Sequence, residues 1–473
     1  MEVSLLSQEK LKANTLSSID ALALSIALLA PVMGVALTTQ FAASSAGGAT
    51  PLSFVLAGIA TLSLAYVIIQ FTRNLPSAGF AYTYLSAGLK PSIGFMGGWT
   101  YAFAFAIGIP MVLGVASLYM AQLFQNIFAV RPSWAVFFVI FLVIVVLLSI
   151  YNIKISTRVQ LWTAIISVTV VVIASIITLD KGGADGLTLA AFSFSSSSRG
   201  VAGVGYGMIF GFTSFIGFEA AAVLGEETAE PRKTIPKAIL GAVIFAGLFY
   251  ILVTYALDMG YGLSRSQEWA GAAAPLNYMV TRYVGQAMAN IVDLMVVLSA
   301  FTSGLGGINL VARIVYSMGG QSALPRVLGK IHLRYHTPMN AILIIAVLTL
   351  AIGLSLGTSL GPAEMFGFLA STGSLGIIAV YVTIAVAGMV FFRRTIRQGW
   401  SLIKHIVVPL IGIVLGLFAL YTSIYPVPPQ PFNLTPYIML GWIIVGIVVV
   451  AVMAKRHPGK VQMLGKVLSE EAE

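Results

Sequence analysis

The chain has 473 residues, 58% of them hydrophobic and only 9% charged, and its mean hydropathy is +0.96. Soluble globular chains carry about 25% charged residues, so a single soluble core is excluded and the composition reads as a polytopic membrane protein. The absence of cysteine excludes thiol catalysis, disulfides and thiolate metal sites, and the net charge of +10 sits in short loops between apolar spans, a pattern of membrane orientation rather than nucleic-acid binding.

The start, Met1 to Lys12, is polar and mixed in charge, so no cleaved signal is expected. Crossing a bilayer takes roughly 20 apolar residues, and on that measure about twelve spans follow, near 19–42, 51–72, 93–126, 134–151, 157–179, 201–225, 236–259, 283–318, 339–357, 363–392, 404–424 and 435–454. With the N-terminus inside, 21 of the 26 Lys and Arg fall in inside segments. Only Arg131, Lys181, Arg199, Arg265 and Arg282 fall outside. That bias predicts both termini in the cytoplasm, and the cytoplasmic (plasma) membrane is the expected location.

The first span carries Ala27-Leu-Leu-Ala-Pro-Val-Met-Gly34. Proline removes a backbone donor and glycine relaxes the backbone, so this helix is expected to open within the membrane. Gly94 and Gly98, in the third span, have the spacing of a helix-packing motif, read here as intramolecular contact rather than a dimer face.

The sixth span carries Phe210-Gly-Phe-Thr-Ser-Phe-Ile-Gly-Phe-Glu219. Gly203, Gly207, Gly211, Phe215 and Glu219 recur every four residues and are expected to share one helix face. Three glycines on one stripe let another helix approach closely. Packing does not account for Thr213, Ser214 and Glu219, and a carboxyl within an apolar span marks a substrate or ion path. Glu219 is the leading functional candidate, expected to be hydrogen-bonded within the site and to exchange a proton during transport. The charged run Glu226-Glu-Thr-Ala-Glu-Pro-Arg-Lys-Thr-Ile-Pro236 follows. Its Glu226, Glu227 and Glu230, with Arg232, Lys233 and Arg313, are candidates for an inside gate of ion pairs or for a solvated loop. Asp293 is a second membrane acid, about ten residues or roughly 15 Å before Ser303 along a helix, with structural and cation-attracting roles both open. His332 and His336 have a metal-binding spacing but lack a third ligand, so no metal site is expected.

Two interrupted helices, one early in each half, point to inverted repeats. Residues 19–180 would form the first repeat (helices 1–5) and 181–400 the second (helices 6–10). Helices 11–12 occupy 401–455, between cytoplasmic ends at 1–18 and 456–473. A half-helix N-terminus offers free amides suited to a carboxylate, and a half-helix C-terminus offers carbonyls suited to an ammonium. Two such breaks side by side can read the backbone of a free amino acid.

The sixth-span block, Asn74-Leu-Pro-Ser-Ala-Gly-Phe-Ala-Tyr-Thr-Tyr84 with Gly94-Phe-Met-Gly-Gly-Trp99, and Arg313-Ile-Val-Tyr-Ser-Met-Gly319 with Leu324-Pro325, His332 and Thr337-Pro338 occur in an order that resembles the amino acid–polyamine–organocation transporters. The resemblance implies an all-α, LeuT-type fold of two five-helix inverted repeats plus two terminal helices, with helices 1 and 6 broken. It implies a secondary transporter for amino acids or amines that works by alternating access, the bundle of helices 1, 2, 6 and 7 rocking against the rest. It places Val32, Met33 and Gly34 at the carboxylate position, and Phe212, Thr213 and Ser214 at the amine-binding and gating position, with Phe215 as a second candidate gate. The sequence departs from the family pattern at Pro31–Gly34, where a Gly-Ser-Gly type break is usual, at Gln70, where a glutamate is common, and at Ser167, where some proton-coupled members carry lysine. Coupling to H⁺ or Na⁺ is therefore open, with Ser167, Thr302 and Ser303 as a possible ion site. A polyamine or organic-amine carrier is the alternative within transport, and a channel is the alternative of another class. No catalytic or cofactor motif is present, so neither an enzyme nor a cofactor is expected. The expected partners are the lipid bilayer and a small-molecule amino acid or amine. Side-chain preference and oligomeric state do not follow from the residues.

Overall fold

The computed structural model describes residues 18–75, 79–151, 157–224, 228, 230–320, 324–332, 334–395 and 400–456. Pro76, Ser77 and Ala78 of the second motif, Glu226 and Glu227 of the expected gate, and both terminal segments lie outside the described residues.

The first expected span consists of three pieces, α1 (Ser18–Leu29), α2 (Pro31–Ala36) and α3 (Thr38–Ala46). The break falls at Ala30, one residue before the proline, with φ 45° and ψ 62°. A residue preceding proline is pushed out of the right-handed helical region, and Ala30 adopts the left-handed one at a cost of roughly 1–2 kcal/mol. A second interruption follows at Leu37. Next come α4 (Thr50–Asn74), α5 (Phe80–Gly88), α6 (Pro91–Phe128), α7 (Trp134–Ile150) and α8 (Thr157–Asp180).

The sixth span is α9 (Gly200–Phe215), a turn at Ile216 and Gly217, and a 3-10 helix over Phe218–Leu224. The remaining helices are α10 (Pro231–Tyr261), the short loop helices α11 (Ser266–Gly271) and α12 (Pro275–Tyr283), then α13 (Gln286–Gly320), α14 (Met339–Leu360), α15 (Pro362–Thr395), α16 (Val408–Thr422) and α17 (Thr435–Arg456). Among the described residues nine helices are long and apolar enough to cross a membrane, Thr38–Asn74 counting as one run. Three shorter apolar helices, Ser25–Ala36, Trp134–Ile150 and Gly200–Phe215, accompany them. Ser25–Ala36 ends at the Leu37 interruption, and Gly200–Phe215 ends at the turn of Ile216 and Gly217.

The glycine stripe of α9 does what its spacing predicts. A Cβ on Gly203 would lie 2.3 Å from the Ser45 carbonyl oxygen, and one on Gly211 would lie 2.7 Å from the Ala57 Cβ. The Ser53 hydroxyl donates to the Val204 carbonyl across the same seam at 3.0 Å. The stripe therefore seats α9 on α3 and α4. Phe215 continues this face, its ring meeting Tyr250 edge-on at 5.1 Å opposite Gly58 and Gly247.

The expected single face does not reach Glu219. Gly217, at φ 106°, turns the chain between them, and a Cβ there would sit 3.0 Å from the Leu28 carbonyl carbon. Gly94 and Gly98 face α5, where Ser86 and the Tyr82 carbonyl occupy the space a Gly94 side chain would take and the Tyr82 side chain lies in ordinary contact distance of Gly98.

The stripe yields a stability prediction. Gly203→Ala forces a Cβ against backbone and should cost about 1–3 kcal/mol, as overpacking does, lowering the apparent melting temperature in detergent. Gly441→Ala is the control, because a Cβ on Gly441 meets nothing within 4 Å. Equal melting of the two variants would show that the seam is not tight.

Candidate functional site

The two breaks lie against each other. The Ser214 hydroxyl donates to the Gly34 carbonyl at 2.8 Å and lies 2.9 Å from the Thr38 hydroxyl. Thr38 itself donates to the Gly34 carbonyl. From α10, the Tyr250 hydroxyl donates to the Ser214 carbonyl, and a Cβ on Gly34 would lie 3.2 Å from that hydroxyl. Below the breaks, the Ala221 amide donates to the Ser25 hydroxyl at 3.1 Å, so both pieces of the sixth span are tied to the first.

Glu219 is fully buried in the 3-10 helix. One carboxyl oxygen accepts from the Tyr101 hydroxyl of α6 at 2.8 Å, and the other from the Gly217 amide at 3.1 Å. Tyr381 of α15, also buried, stands beside the same carboxyl. Glu219 thus anchors the broken segment to α6.

A cavity of about 70 Å³ lies beside the breaks. Leu28, Leu29 and Met33 form its wall on the first span, and Thr213 and Ile216 form it on the sixth. Opposite them stand Phe105 and Gly108 of α6, Ser303 and Gly307 of α13, and Gly373 and Ser374 of α15. Among the described residues that line it none is charged, and its side-chain polar groups are the hydroxyls of Thr213, Ser303 and Ser374. Thr213 and Ser374 face each other at 2.6 Å. The Ser303 hydroxyl points at the Leu28 carbonyl, 3.5 Å away.

Of the expected site residues, Met33 and Thr213 line this cavity. Val32, Gly34, Ser214, Phe212 and Phe215 are buried and not part of its wall, and Gly34, Ser214 and Phe215 pack between the breaks and α10. The Gly34 amide is taken by the Ala30 carbonyl at 2.9 Å, and the Met33 amide donates to the Ser299 hydroxyl of α13 at 3.4 Å. Among the expected ion ligands, Ser303 borders the first break. Thr302 returns its hydroxyl to the Leu298 and Ser299 carbonyls, and Ser167 donates to the Thr163 carbonyl at 2.7 Å.

Asp293 is buried, with one oxygen held by Asn277 of α12 at 2.6 Å and the other unpartnered among the described residues. His332 and His336 lie in a turn rather than on a helix, with the His336 amide on the His332 carbonyl. No group of three metal-ligating side chains occurs among the described residues. The expected gate shows one exposed pair in the described part, Lys233 to Glu230 at 3.0 Å, a type worth about 0–1 kcal/mol.

The structure adds residues that the sequence alone did not single out. Tyr101, Tyr250, Ser299 and Ser374 hold the broken backbone or border the cavity. Buried tyrosine hydroxyls need partners, which was the available signal for the first two. Asp258, near the end of α10, is a third buried acid, with neither carboxyl oxygen partnered among the described residues.

Comparison with known proteins gives a consistent pattern. The amino acid permease family model matches residues 16–450. The low-affinity putrescine importer PlaP of Escherichia coli K12 is 29% identical over 65% of this chain and 68% of its own. The branched-chain amino acid permease BcaP of Lactococcus lactis is 24% identical over 86% and 89%. The lysine-specific permease LysP of Escherichia coli K12 is 27% identical over 75% and 74%. The crystal structure of the Eremococcus coleocola manganese transporter superposes with a TM-score of 0.57 over 97% of this chain and 99% of that one, at 12% identity. At that identity the likeness concerns the fold.

The anchor at Glu219 is testable. Glu219→Gln keeps the shape but turns an amide NH₂ toward one of two donors, Tyr101 or Gly217. A buried donor left unsatisfied costs about 1–3 kcal/mol, so this variant should melt below wild type, and Tyr101→Phe should lose less. A Glu219→Gln protein that melts with wild type would remove the anchor role.

Proposed function

This chain belongs to the amino acid permease family, and from that membership we propose that it is a secondary transporter for neutral amino acids at the cytoplasmic membrane. The observation that carries the substrate class is the cavity wall. It joins the ends of two broken helices and has no charged residue among the described lining. The substrate carboxylate would meet the Val32 amide in the first turn of α2 and displace Ser299 from the Met33 amide, at a helix start whose amides face outward along the helix axis. The ammonium would meet carbonyls that end α1 and α9, beside Leu28, Leu29 and Thr213. Both charges of a zwitterion are then read by backbone and hydroxyls, and the rest of the wall is left for an apolar side chain.

The putrescine importer among the relatives keeps an amine carrier as the second reading. The wall argues against it, since a dication there would find no counter-charge, and Glu219 is already held by Tyr101 and Gly217.

The proposed architecture is twelve spans in the LeuT-type arrangement, repeats at 19–180 and 181–400, with both termini cytoplasmic. In the proposed cycle α1–α4, α9 and α10 move as one body, stitched by the glycine stripe, Ser53, Ser214 and Tyr250, against α6, α13 and α15. Coupling would use either a proton, with Asp258 and Asp293 as buried acids bearing unpartnered oxygens, or Na⁺ between the Leu28 carbonyl and Ser303.

Thermal stabilisation of the purified protein tests the substrate class, scanned over amino acids, polyamines and simple amines, with and without Na⁺ and at two pH values. A ligand that binds only the folded state at a hundred times its dissociation constant adds about 2.7 kcal/mol. Stabilisation by neutral amino acids, lost when the carboxylate is removed, is the expected result. Stabilisation by carboxylate-free amines alone would overturn the first reading in favour of the second.

A further inference from the structure

We propose that Gly108 sets how large a substrate side chain the cavity admits; this rests on the amino acid reading of the same cavity. Gly108 lies inside α6, a continuous helix from Pro91 to Phe128, where glycine is less stable than alanine. A glycine in such a position has two ordinary reasons. One is a left-handed φ, which Gly108 does not have. The other is close approach of a neighbour, and a Cβ on Gly108 would meet no atom within 4 Å.

The contrast with nearby glycines is sharp. A Cβ on Gly304 would lie 2.8 Å from Leu113, and one on Gly114 would lie 2.5 Å from Met365. Those on Gly307 and Gly373, which also line the cavity, would touch Ile109 at 3.4 Å and the Ala104 carbonyl oxygen at 3.5 Å. At Gly304 and Gly114 the space of the absent side chain is filled by neighbouring protein, and at Gly307 and Gly373 a methyl would sit in ordinary contact with it. The absent side chain of Gly108 is replaced by the cavity itself, on a wall shared with Phe105, Ile216 and Leu369. Pro110 already supplies any bend α6 needs through its missing amide, so the bend does not call for a second helix-weakening residue. What remains is the space: Gly108 keeps open a recess that a methyl or isobutyl group would fill.

The test uses the full chain reconstituted in liposomes, with uptake of alanine, valine, leucine and phenylalanine measured for wild type, Gly108→Ala, Gly108→Val and Gly108→Leu. One methylene in an apolar pocket is worth roughly 10-fold or more in discrimination. Gly108→Leu should therefore raise KM for leucine and phenylalanine by at least about 10-fold while alanine uptake persists. The cut-off should move to smaller substrates along the series. Gly441→Leu, an exposed glycine with the same open surroundings away from the cavity, should leave the ranking unchanged. Melting curves certify folding, and Gly108→Ala carries the test if the larger variants do not fold. An unchanged ranking, or an equal loss for every substrate in a variant that melts like wild type, would overturn the assignment of Gly108. Wild-type protein that takes up none of the four would instead overturn the amino acid reading on which it rests.

Discussion

A backbone amide or carbonyl freed inside a membrane must find its partner within the protein, and the core of this chain is organised around that requirement. Breaking the first span at Ala30 and the sixth at Gly217 frees such groups at the centre of the molecule. Hydroxyls and one carboxylate converge on them. Ser299 takes the Met33 amide, Ser303 and Ser214 reach the Leu28 and Gly34 carbonyls, and Tyr250 reaches the Ser214 carbonyl. Glu219 accepts the Gly217 amide. Removing the breaks would leave these polar side chains without work in an apolar core. Removing the side chains would leave the breaks unsupported.

The same contacts divide the helices into two sets. Between α9, α3 and α4 the approaches are close because glycines permit them, and dispersion accumulates over many atoms. Toward α6, α13 and α15 the polar links of the breaks are discrete: Met33 to Ser299, Leu28 to Ser303, Thr213 to Ser374, Glu219 to Tyr101, and Ala36 to Tyr119. A hydrogen bond contributes a net of about 0.5–1.5 kcal/mol, so any one of these can be exchanged at modest cost. In the proposed cycle the glycine seam is the part that stays together, and the cavity lies where the bonds are exchangeable.

The sequence made the breaks legible because proline and glycine have fixed backbone consequences. It also made the glycine stripe legible, because spacing of four residues needs only an unbroken helix. That same logic failed one turn later. Extending the stripe to Glu219 assumed a register that Gly217 interrupts, and it put Glu219 on the packing face instead of against Tyr101. The family resemblance puts Ser214 at the amine-binding position, and in the structure its hydroxyl bonds the Gly34 carbonyl of the first span. Whether a hydroxyl serves the protein or the substrate depends on which way the turn sends it, and no local pattern records that. Tyr101, Ser299 and Ser374 lie on helices other than the broken ones, so only the packing of distant segments brings them in. Asp258 was visible as an acid, but at the end of a span it is indistinguishable from a residue at the membrane surface until its burial is seen.

An uncharged cavity next to paired helix ends separates two tasks. The groups common to all amino acids would be held by backbone, whose partial charges come from helix geometry and do not depend on side-chain identity. The part that differs between amino acids would be held by the side chains of Phe105, Ile216 and Leu369 and the recess at Gly108, and none of these side chains bonds the broken backbone. A substitution among these four changes shape and apolar contact while the bonds of Ser214, Ser299 and Glu219 remain as they are. A charged residue on the wall would join the tasks again, since it would perturb the helix-end electrostatics together with the fit. The absence of charge from the described wall is thus the condition under which selectivity can vary on a constant scaffold.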